Sequence, residues 1–599
     1  MRFQEFISEL KRRRVIRALL GWGLAAFAVL QVFEPVMHGL HLPDWTLSFV
    51  VVVLGLGFPV TAALAWAFDL KASGIERTAP VTPSAPSLDL APTARSSRIR
   101  LALLLLGLGA VAAAPWVVYF FVWPGAGRQP AAVAAAGPAS APAGPPSIAV
   151  LPFVNLSSDK EQDYFSDGVA EEILNALAQV DGLRVIGRTS SFAMKGKSED
   201  LRVIGQKLNA ANLLEGSVRK AGSRVRITAQ LIEAAGGSHL WSQEFDGELS
   251  DIFAVQEKIA HAVVAALKLK LLPAASQERR IANPEAHDQY LLGLAYMTRG
   301  SGDAYGRAVK ALRRSVALDP GFAPAWALLS QAIFWQADQG NTAWAAPVVE
   351  REALAAAEKA IALAPHLADG YHARGALRWV TLQDWAEARA DLERARSLNP
   401  GSAAILQEHA ALLATLGLMP EALAELQQAA DLDPLSAEAQ FVLGAVYLGT
   451  GQYGLAEAAA TRALGISPEF GRAARTLGFA LLLQGRFPEA RAAFHRSSNP
   501  LFVVLGDALV EHSIGHAAES RRALEAMLAI PDVKQGGCYQ LAQAHAWRGE
   551  LDRAFEWLGR AVDQHDGGIT FLKYDQLLRN LRGDPRFAAL LRKLKLPVG

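Results

Sequence analysis

The chain has 599 residues, too many for a single hydrophobic core, so several domains are expected. Its 59 Lys+Arg and 58 Asp+Glu nearly cancel, which excludes a global field drawing it to nucleic acid or an anionic surface. Its one cysteine, Cys538, excludes an intramolecular disulfide framework and a thiolate metal cluster, and leaves an oxidising compartment open.

Hydrophobic residues make up 51% of the chain, and the long apolar runs crowd into its N-terminal part, before the Pro/Ala-rich stretch that begins at Pro124. Three of them, residues 15–37, 45–68 and 101–123, reach the length of about 20 residues that a membrane-crossing helix needs. Trp45, Trp66, Trp116, Tyr119 and Trp123 fall near the ends of these runs, where amphipathic rings prefer the headgroup region. The first run is too long for a signal h-region and no A-x-A site follows it, so it reads as a retained anchor. Glu34 sits near its exit and reads as a residue reaching the interface, not as an ion site.

Arg2, Lys11, Arg12, Arg13 and Arg14 precede the first span, and connector 38–44 has no Lys or Arg. The next connector carries Lys71, Arg77, Arg95, Arg98 and Arg100. Basic residues collect on the cytoplasmic side, so the N-terminus and second connector are expected in the cytoplasm and everything after Trp123 outside, in a bacterium the periplasm. Residues 1–69 are therefore a basic segment with two spans, 70–100 a cytoplasmic linker, and 101–123 a third span. Residues 124–146 are rich in Pro and Ala and read as an extended linker.

From Ser147 the texture changes. SIAVLPF has the pattern of a buried strand, residues 163–180 have helical periodicity, and LRVIGR at 183–188 predicts a second strand. A short amphipathic helix over 199–208 follows, then three antiparallel strands with turns at Ala221–Gly222 and Gly236–Gly237, and a helix over 252–271. The order βαβαβββα predicts a compact α/β domain over 147–273. Within it Glu171 and Glu172 are helix neighbours that point apart, a poor acid/base pair. Arg219, Lys220, Arg224 and Arg226 read as a charged hairpin edge, and Thr189–Ser190–Ser191 as a turn cap. The stretches AVLPFVNLS, YFSDGVAEEI, LRVIGRTSSF, NLLEGSVRKAGSRVRITAQLIEAAGGSHLWSQEFD and DIFAVQEKIA resemble the TolB N-terminal-like domain. That resemblance implies a protein-binding or assembly domain with no catalytic residues to carry over.

Prolines recur at Pro320, Pro365, Pro400, Pro434, Pro468 and Pro500, the later ones at a spacing of roughly 34 positions. With Ala437 as position 1, Leu443, Gly444, Tyr447, Gly451, Ala456, Ala463 and Pro468 occupy positions 7, 8, 11, 15, 20, 27 and 32. Small residues at 8 and 20 let two helices approach, the glycine at 15 turns the chain, and the proline ends the second helix. Neither helix can bury its apolar face alone, so the units must stack. This is the tetratricopeptide-repeat pattern, expected over about 283–566 as seven or eight units with an insertion around 336–347. The tail LKYDQLLRNLRGDPRFAALLRKLKLP predicts a capping helix, completing a helical solenoid over 283–599.

Stacked repeats of this kind hold proteins or peptides in a concave groove. The Lys/Asn pattern of chaperone-tail binders is absent from the first helices. His287, His366, His409, His495 and His545 are scattered over different repeats, and no Walker lysine, G-x-S-x-G or H-E-x-x-H motif occurs. The expectation is a protein that is not an enzyme, with no cofactor and no metal, whose partners are proteins or peptides and the lipid bilayer, without nucleic acid. FISELKRRRVIRALLGW, HLPDW and LGFPVTAALAWAFDL are similar to the front of bacterial inner-membrane proteins that combine a TolB-like domain with these repeats. Relatives of that architecture carry a winged-helix or class III cyclase domain ahead of the membrane. The stretch before Val15 is too short to hold either, so no output domain of this chain's own is expected. The resemblance implies a multi-pass, membrane-anchored scaffold of the bacterial envelope, or a periplasmic receptor signalling to a separate cytoplasmic effector.

Overall fold

A computed structural model describes residues 146–598 apart from short gaps, the largest at 270–282 and 340–346, together with residues 68–71 and 74–77 and a few isolated N-terminal positions. It divides into two compact units, 1–138 and 139–599.

In the first unit, strands β1 (Phe68–Lys71) and β2 (Gly74–Arg77) form an antiparallel hairpin. It begins at the residue where the second span was expected to end and runs into the stretch expected to be linker. Trp22 and Leu54 are helical, and the Trp22 indole N–H donates to the Leu54 carbonyl at 3.2 Å. Among the described residues no helix is long and apolar enough to cross a membrane. The three apolar stretches 15–37, 45–68 and 101–123 lie outside the described residues, apart from Trp22, Ala26, Val29, Leu54 and Phe68.

The second unit opens with an α/β region followed by a large helical solenoid. The α/β region comprises β3 (Ser147–Val150), β4 (Val154–Asn155), α1 (Asp163–Leu177), β5 (Arg184–Val185), α2 (Arg188–Phe192), α3 (Leu201–Leu208), β6 (Asn212–Ala221), β7 (Arg224–Glu233), β8 (Ser238–Glu248) and α4 (Ile252–Ala266). The sheet runs β5-β3-β6-β7-β8, with β3 parallel to both neighbours and β6 to β8 an antiparallel meander. β3 is buried on both faces, which is why SIAV has no polar alternation. On one face Ile148, Val150, Ile227 and Leu231 pack under α1 and α4; on the other Ala149, Leu151 and Leu213 pack with Ile204 and Leu208 of α3.

Eight helix pairs follow: α5 (Pro284–Met297) and α6 (Gly302–Leu318), α7 (Ala323–Gln339) and α8 (Pro347–Leu363), α9 (Ala368–Val380) and α10 (Trp385–Leu398), α11 (Ala403–Leu416) and α12 (Met419–Leu432), α13 (Ala437–Gly449) and α14 (Tyr453–Ile466), α15 (Gly471–Leu483) and α16 (Phe487–Phe494), α17 (Pro500–Ser513) and α18 (Ala517–Ala529), and, after the one-turn α19 (Val533–Gly536), α20 (Cys538–Trp547) and α21 (Leu551–Asp563). The local chemistry repeats with them. Gly417, Gly451, Gly485 and Gly549 all take φ between +77° and +88° between the helices of a pair, where a side chain would be strained. Ala422, Ala456, Ala490 and Ala554 are fully buried, and a Cβ on Gly478 would lie 2.8 Å from the Phe494 ring. Ser402 and Ser436, at equivalent places in consecutive repeats, cap α11 and α13 through the amides of Ile405 and Ala439.

The tail departs from the single capping helix expected. It forms two 3₁₀ turns (Gly567–Phe571 and Gln576–Leu581) and a short α22 (Pro585–Lys593), because Asp566, Asp575 and Asp584 each cap a fresh start.

Candidate functional site

The first helices of successive repeats pack on one another and form the inner face of the solenoid. Its N-terminal end is filled by the chain's own α/β region. Leu291 of α5 is fully buried within the α/β core beneath α1, where a Cβ on Gly168 would meet it at 2.6 Å. Leu435, in the joint between α12 and α13, packs against the cluster on the opposite face of the sheet. Repeat residues therefore enter both apolar layers of the α/β region, Leu291 with Tyr290 and Leu294 in one and Leu435 in the other.

Polar contacts fix the same two points. At the first, Asp288 accepts from Tyr164 Oη at 2.7 Å and from Lys220 Nζ at 2.9 Å, and Glu172 lies 3.0 Å from buried His287 Nε2. At the second, Gly187 N–H donates to the Leu432 carbonyl at 2.6 Å. Buried Asp433 accepts from the Ser190 amide at 2.7 Å and from the Ser190 hydroxyl, which in turn accepts from Leu435 N–H at 2.7 Å. Burial raises the Asp433 carboxyl above its ordinary range, although Ser190, Thr189 and Arg188 oppose the shift.

This docking accounts for several of the polar residues that the sequence singled out. Glu171 turns to Arg188 at 2.5 Å while Glu172 turns to His287, so the two carboxylates diverge. Of Thr189–Ser190–Ser191, read as a turn cap, Ser190 is the latch to Asp433, while the Ser191 hydroxyl donates to the Ile186 carbonyl at 3.4 Å. Lys220 of the basic hairpin is committed to Asp288, and Arg226 to Asp246 and Glu244. His409, His495 and His545 each meet a carboxylate, Glu425, Asp507 and Glu550 respectively, and not one another. Among the described residues no group of three such side chains is placed to hold a metal ion. Cys538 is buried, its thiol pushed up to about 11 by desolvation.

Between the two docking points a cavity of about 280 Å³ remains over repeats 1 to 4. Of the charges lining it, Glu171 pairs with Arg188, and His372 pairs with Glu408 at 2.9 Å. Burial pulls His372 down, and Glu408 more than offsets this, leaving the imidazole above its ordinary value.

The C-terminal end of the inner face is bordered by the tail. Lys573 Nζ, Gln576 Nε2 and Asn580 Nδ2 donate to the carbonyls of Leu416, Gly449 and Ala546, at the C-terminal ends of α11, α13 and α20. These are orphan carbonyls that a helix end leaves open. The Trp385 indole N–H donates to the Leu594 carbonyl at 2.7 Å, so the tail runs from the eighth repeat back to the third. Between tail and first helices lies a second cavity of about 240 Å³, walled by aromatic rings including Phe441, Phe479, Phe502 and Phe571. Arg475, Gln540 and Gln543 also line it. The repeat register held the available signal for them. Arg475 is position 5 of its repeat and Gln543 position 9 of the last, one turn apart on the same face of a first helix.

Comparison with known proteins agrees with the repeats. Residues 437–470 match the family described as "Tetratricopeptide repeat", and residues 144–262 match "HilA/YgeH-like transcriptional regulator, second domain". The chain is 44% identical over 207 residues to a protein of Rhizobium meliloti (strain 1021) named "Putative adenylate cyclase 3". The match takes in 34% of this chain and 35% of that relative's length. Among solved structures, a thermophilic tetratricopeptide-repeat protein of Thermus thermophilus is 22% identical, covering 34% of this chain and 98% of its own, with a TM-score of 0.27. PilF of Pseudomonas aeruginosa is 16% identical, covering 36% and 93%, with a TM-score of 0.29. YrrB, described as having an unusual peptide-binding site, is 17% identical, covering 36% and 98%, with a TM-score of 0.24. The chain thus carries tetratricopeptide repeats, which mediate protein–protein interaction, preceded by an α/β region.

Proposed function

We propose that the chain is a membrane-anchored, non-enzymatic scaffold that holds partner proteins or peptides against the first helices of its later repeats. One observation carries this reading. The α/β region occupies the inner face of the early repeats with matched polar and apolar contacts, whereas the inner face of repeats 5 to 8 keeps an aromatic cavity. The α/β region, read as a TolB N-terminal-like assembly module, then acts as a fixed wall that limits where a partner can lie. The apolar runs at 15–37, 45–68 and 101–123 supply the anchor, and the distribution of Lys and Arg supports an inner-membrane protein with its repeats in the periplasm.

The test is co-purification from membranes with the wild-type chain and with Phe479→Glu, which places a charge in the cavity wall. Partners retained by the wild type and lost from the variant support the reading, and identical retention contradicts it. Alkaline phosphatase and, separately, a cytoplasm-only fluorescent protein fused after Gly599 test the location. Fluorescence without phosphatase activity would overturn the periplasmic assignment.

The match to a relative named as a putative adenylate cyclase favours a second reading. In it the periplasmic repeats receive a signal that the membrane segments pass to a separate cytoplasmic effector. A cyclase or kinase that co-purifies with a fragment ending before residue 147 would select this reading over the scaffold.

A further inference from the structure

Between the tail's 3₁₀ turns and the first helices, the rings around the second cavity are held in place by other rings. Phe441 stands edge-on to Phe470 at 5.8 Å, Phe479 edge-on to Phe494 at 5.1 Å, and Phe571 tilts against Tyr574 at 5.6 Å. Aromatic pairs favour such arrangements, so the space between the walls is preformed. Two glycines let the tail come this close. A Cβ on Gly449 would meet the Tyr574 ring at 2.5 Å, and one on Gly568 the Tyr539 ring at 2.4 Å.

The charged residues that line the cavity are answered from within the protein. Arg475 lies over the Phe502 ring, 4.2 Å from its centroid. Desolvation pulls its pKa down to about 10 and the neighbouring Arg472 adds to this, while Glu438 opposes the shift. Glu438 thus supplies the negative charge for this pair of arginines, and it contacts Arg472 directly. Asp575 accepts from Tyr539 Oη at 2.9 Å, Gln543 Nε2 at 2.6 Å and Leu577 N–H at 2.8 Å. A guest with a charge of its own would therefore be buried without a counter-ion, which is costly.

The wall does present acceptors. Gln540 Oε1 and Gln543 Oε1 are buried and have no hydrogen-bond partner among the described residues. The Gln543 side chain is 6% exposed, and Asp575 holds its amide nitrogen, which fixes the direction of the oxygen. A buried acceptor without a donor is unfavourable, so a guest carrying one N–H or O–H is preferred to one carrying none. The volume sets the size. An engineered apolar cavity of about 150 Å³ takes benzene, and drug-sized ligands occupy roughly 300–1,000 Å³. At about 240 Å³ this cavity has room for one ring or two fused rings.

We infer that this cavity is a small-molecule site for a neutral compound of one or two fused rings bearing an N–H or O–H donor, its faces against the aromatic walls and its donor on a glutamine oxygen. The inference goes beyond the scaffold reading, which calls for no small molecule.

The test is isothermal titration of the full-length chain in detergent, matched in cell and syringe, with indole and with benzothiophene, a ring system of the same shape without the N–H. Indole is expected to saturate one site and to bind about tenfold more tightly than benzothiophene, the scale of one neutral hydrogen bond to a buried acceptor. Ala445→Phe puts a ring into the cavity from the first helix of repeat 5 and abolishes saturable indole binding, with thermal unfolding followed by circular dichroism to show that the variant folds. No saturation by indole, or equal affinity for the two probes, overturns the inference on the wild-type chain alone, whether or not the variant folds. Indole binding that survives in folded Ala445→Phe overturns the placement in this cavity. Indole-3-acetate or tryptamine binding more tightly than indole overturns the neutral assignment.

Discussion

Asp433→Ala tests whether the α/β region is latched to the solenoid as the contacts indicate. The wild-type carboxylate accepts from the Ser190 amide and hydroxyl, and Ser190 is fully buried. Alanine leaves two buried donors without an acceptor, at about 1–3 kcal/mol each. Taking about 3 kcal/mol in total, opening of the segment from Ile186 to Phe192 should increase by about a hundredfold, at roughly 1.4 kcal/mol per decade. Hydrogen exchange read by mass spectrometry on the full chain reports this segment and the Asp431–Ser436 joint directly. Asp433→Asn keeps an oxygen at the same place and removes the charge, so at neutral pH it should lie within about 1 kcal/mol of the wild type. The two variants should also differ in pH response. Burial holds the Asp433 carboxyl above its ordinary value, so the docked state takes up a proton more readily than the undocked one. Docking is then strongest at and below the ordinary carboxylate pKa, about 3.9, and weakens as pH rises through the raised value. Arg188, whose charge favours the Asp433 carboxylate, moderates the effect. Asn at 433 removes this contribution and flattens the profile. Unchanged protection in Asp433→Ala, or equal damage from both variants, would refute the latch.

Two further substitutions probe the packing. Leu291→Ala empties a fully buried site where a solenoid helix enters the α/β core, and should cost about 3 kcal/mol, read as a lower denaturation midpoint with the Trp241 signal moving together with that of the repeats. Gln383 occupies the turn between α9 and α10 with φ +53°, where neighbouring repeats have glycine, so Gln383→Gly should stabilise by up to about 1 kcal/mol in the same assay.

The repeats were legible because their determinants are local and recur. A glycine that must take positive φ, two small residues at a helix crossing and a terminating proline leave the same trace in one repeat after another. The α/β region was legible from strand and helix periodicity, yet the strand expected over 183–188 shrinks to Arg184–Val185. The chain leaves the sheet there because Gly187 spends its N–H on Leu432, at the end of the fourth repeat. No window of sequence contains that partner. The same limit hid the docking itself: Thr189–Ser190–Ser191 has the composition of an ordinary turn, and only the fold brings Asp433 to it. Arg475 was overlooked for a related reason, since an arginine on a helix looks solvated until the Phe502 ring beneath its guanidinium is known.

The most direct test of the account is site-specific photocrosslinking in living cells, with benzoylphenylalanine at Phe502 in the cavity or at Leu455, exposed on the second helix of repeat 5. Discrete protein adducts are expected from position 502, and none of the same adducts from position 455. Adducts of equal yield from both positions, or none from Phe502, would contradict the assignment of the later repeats' inner face as the binding surface.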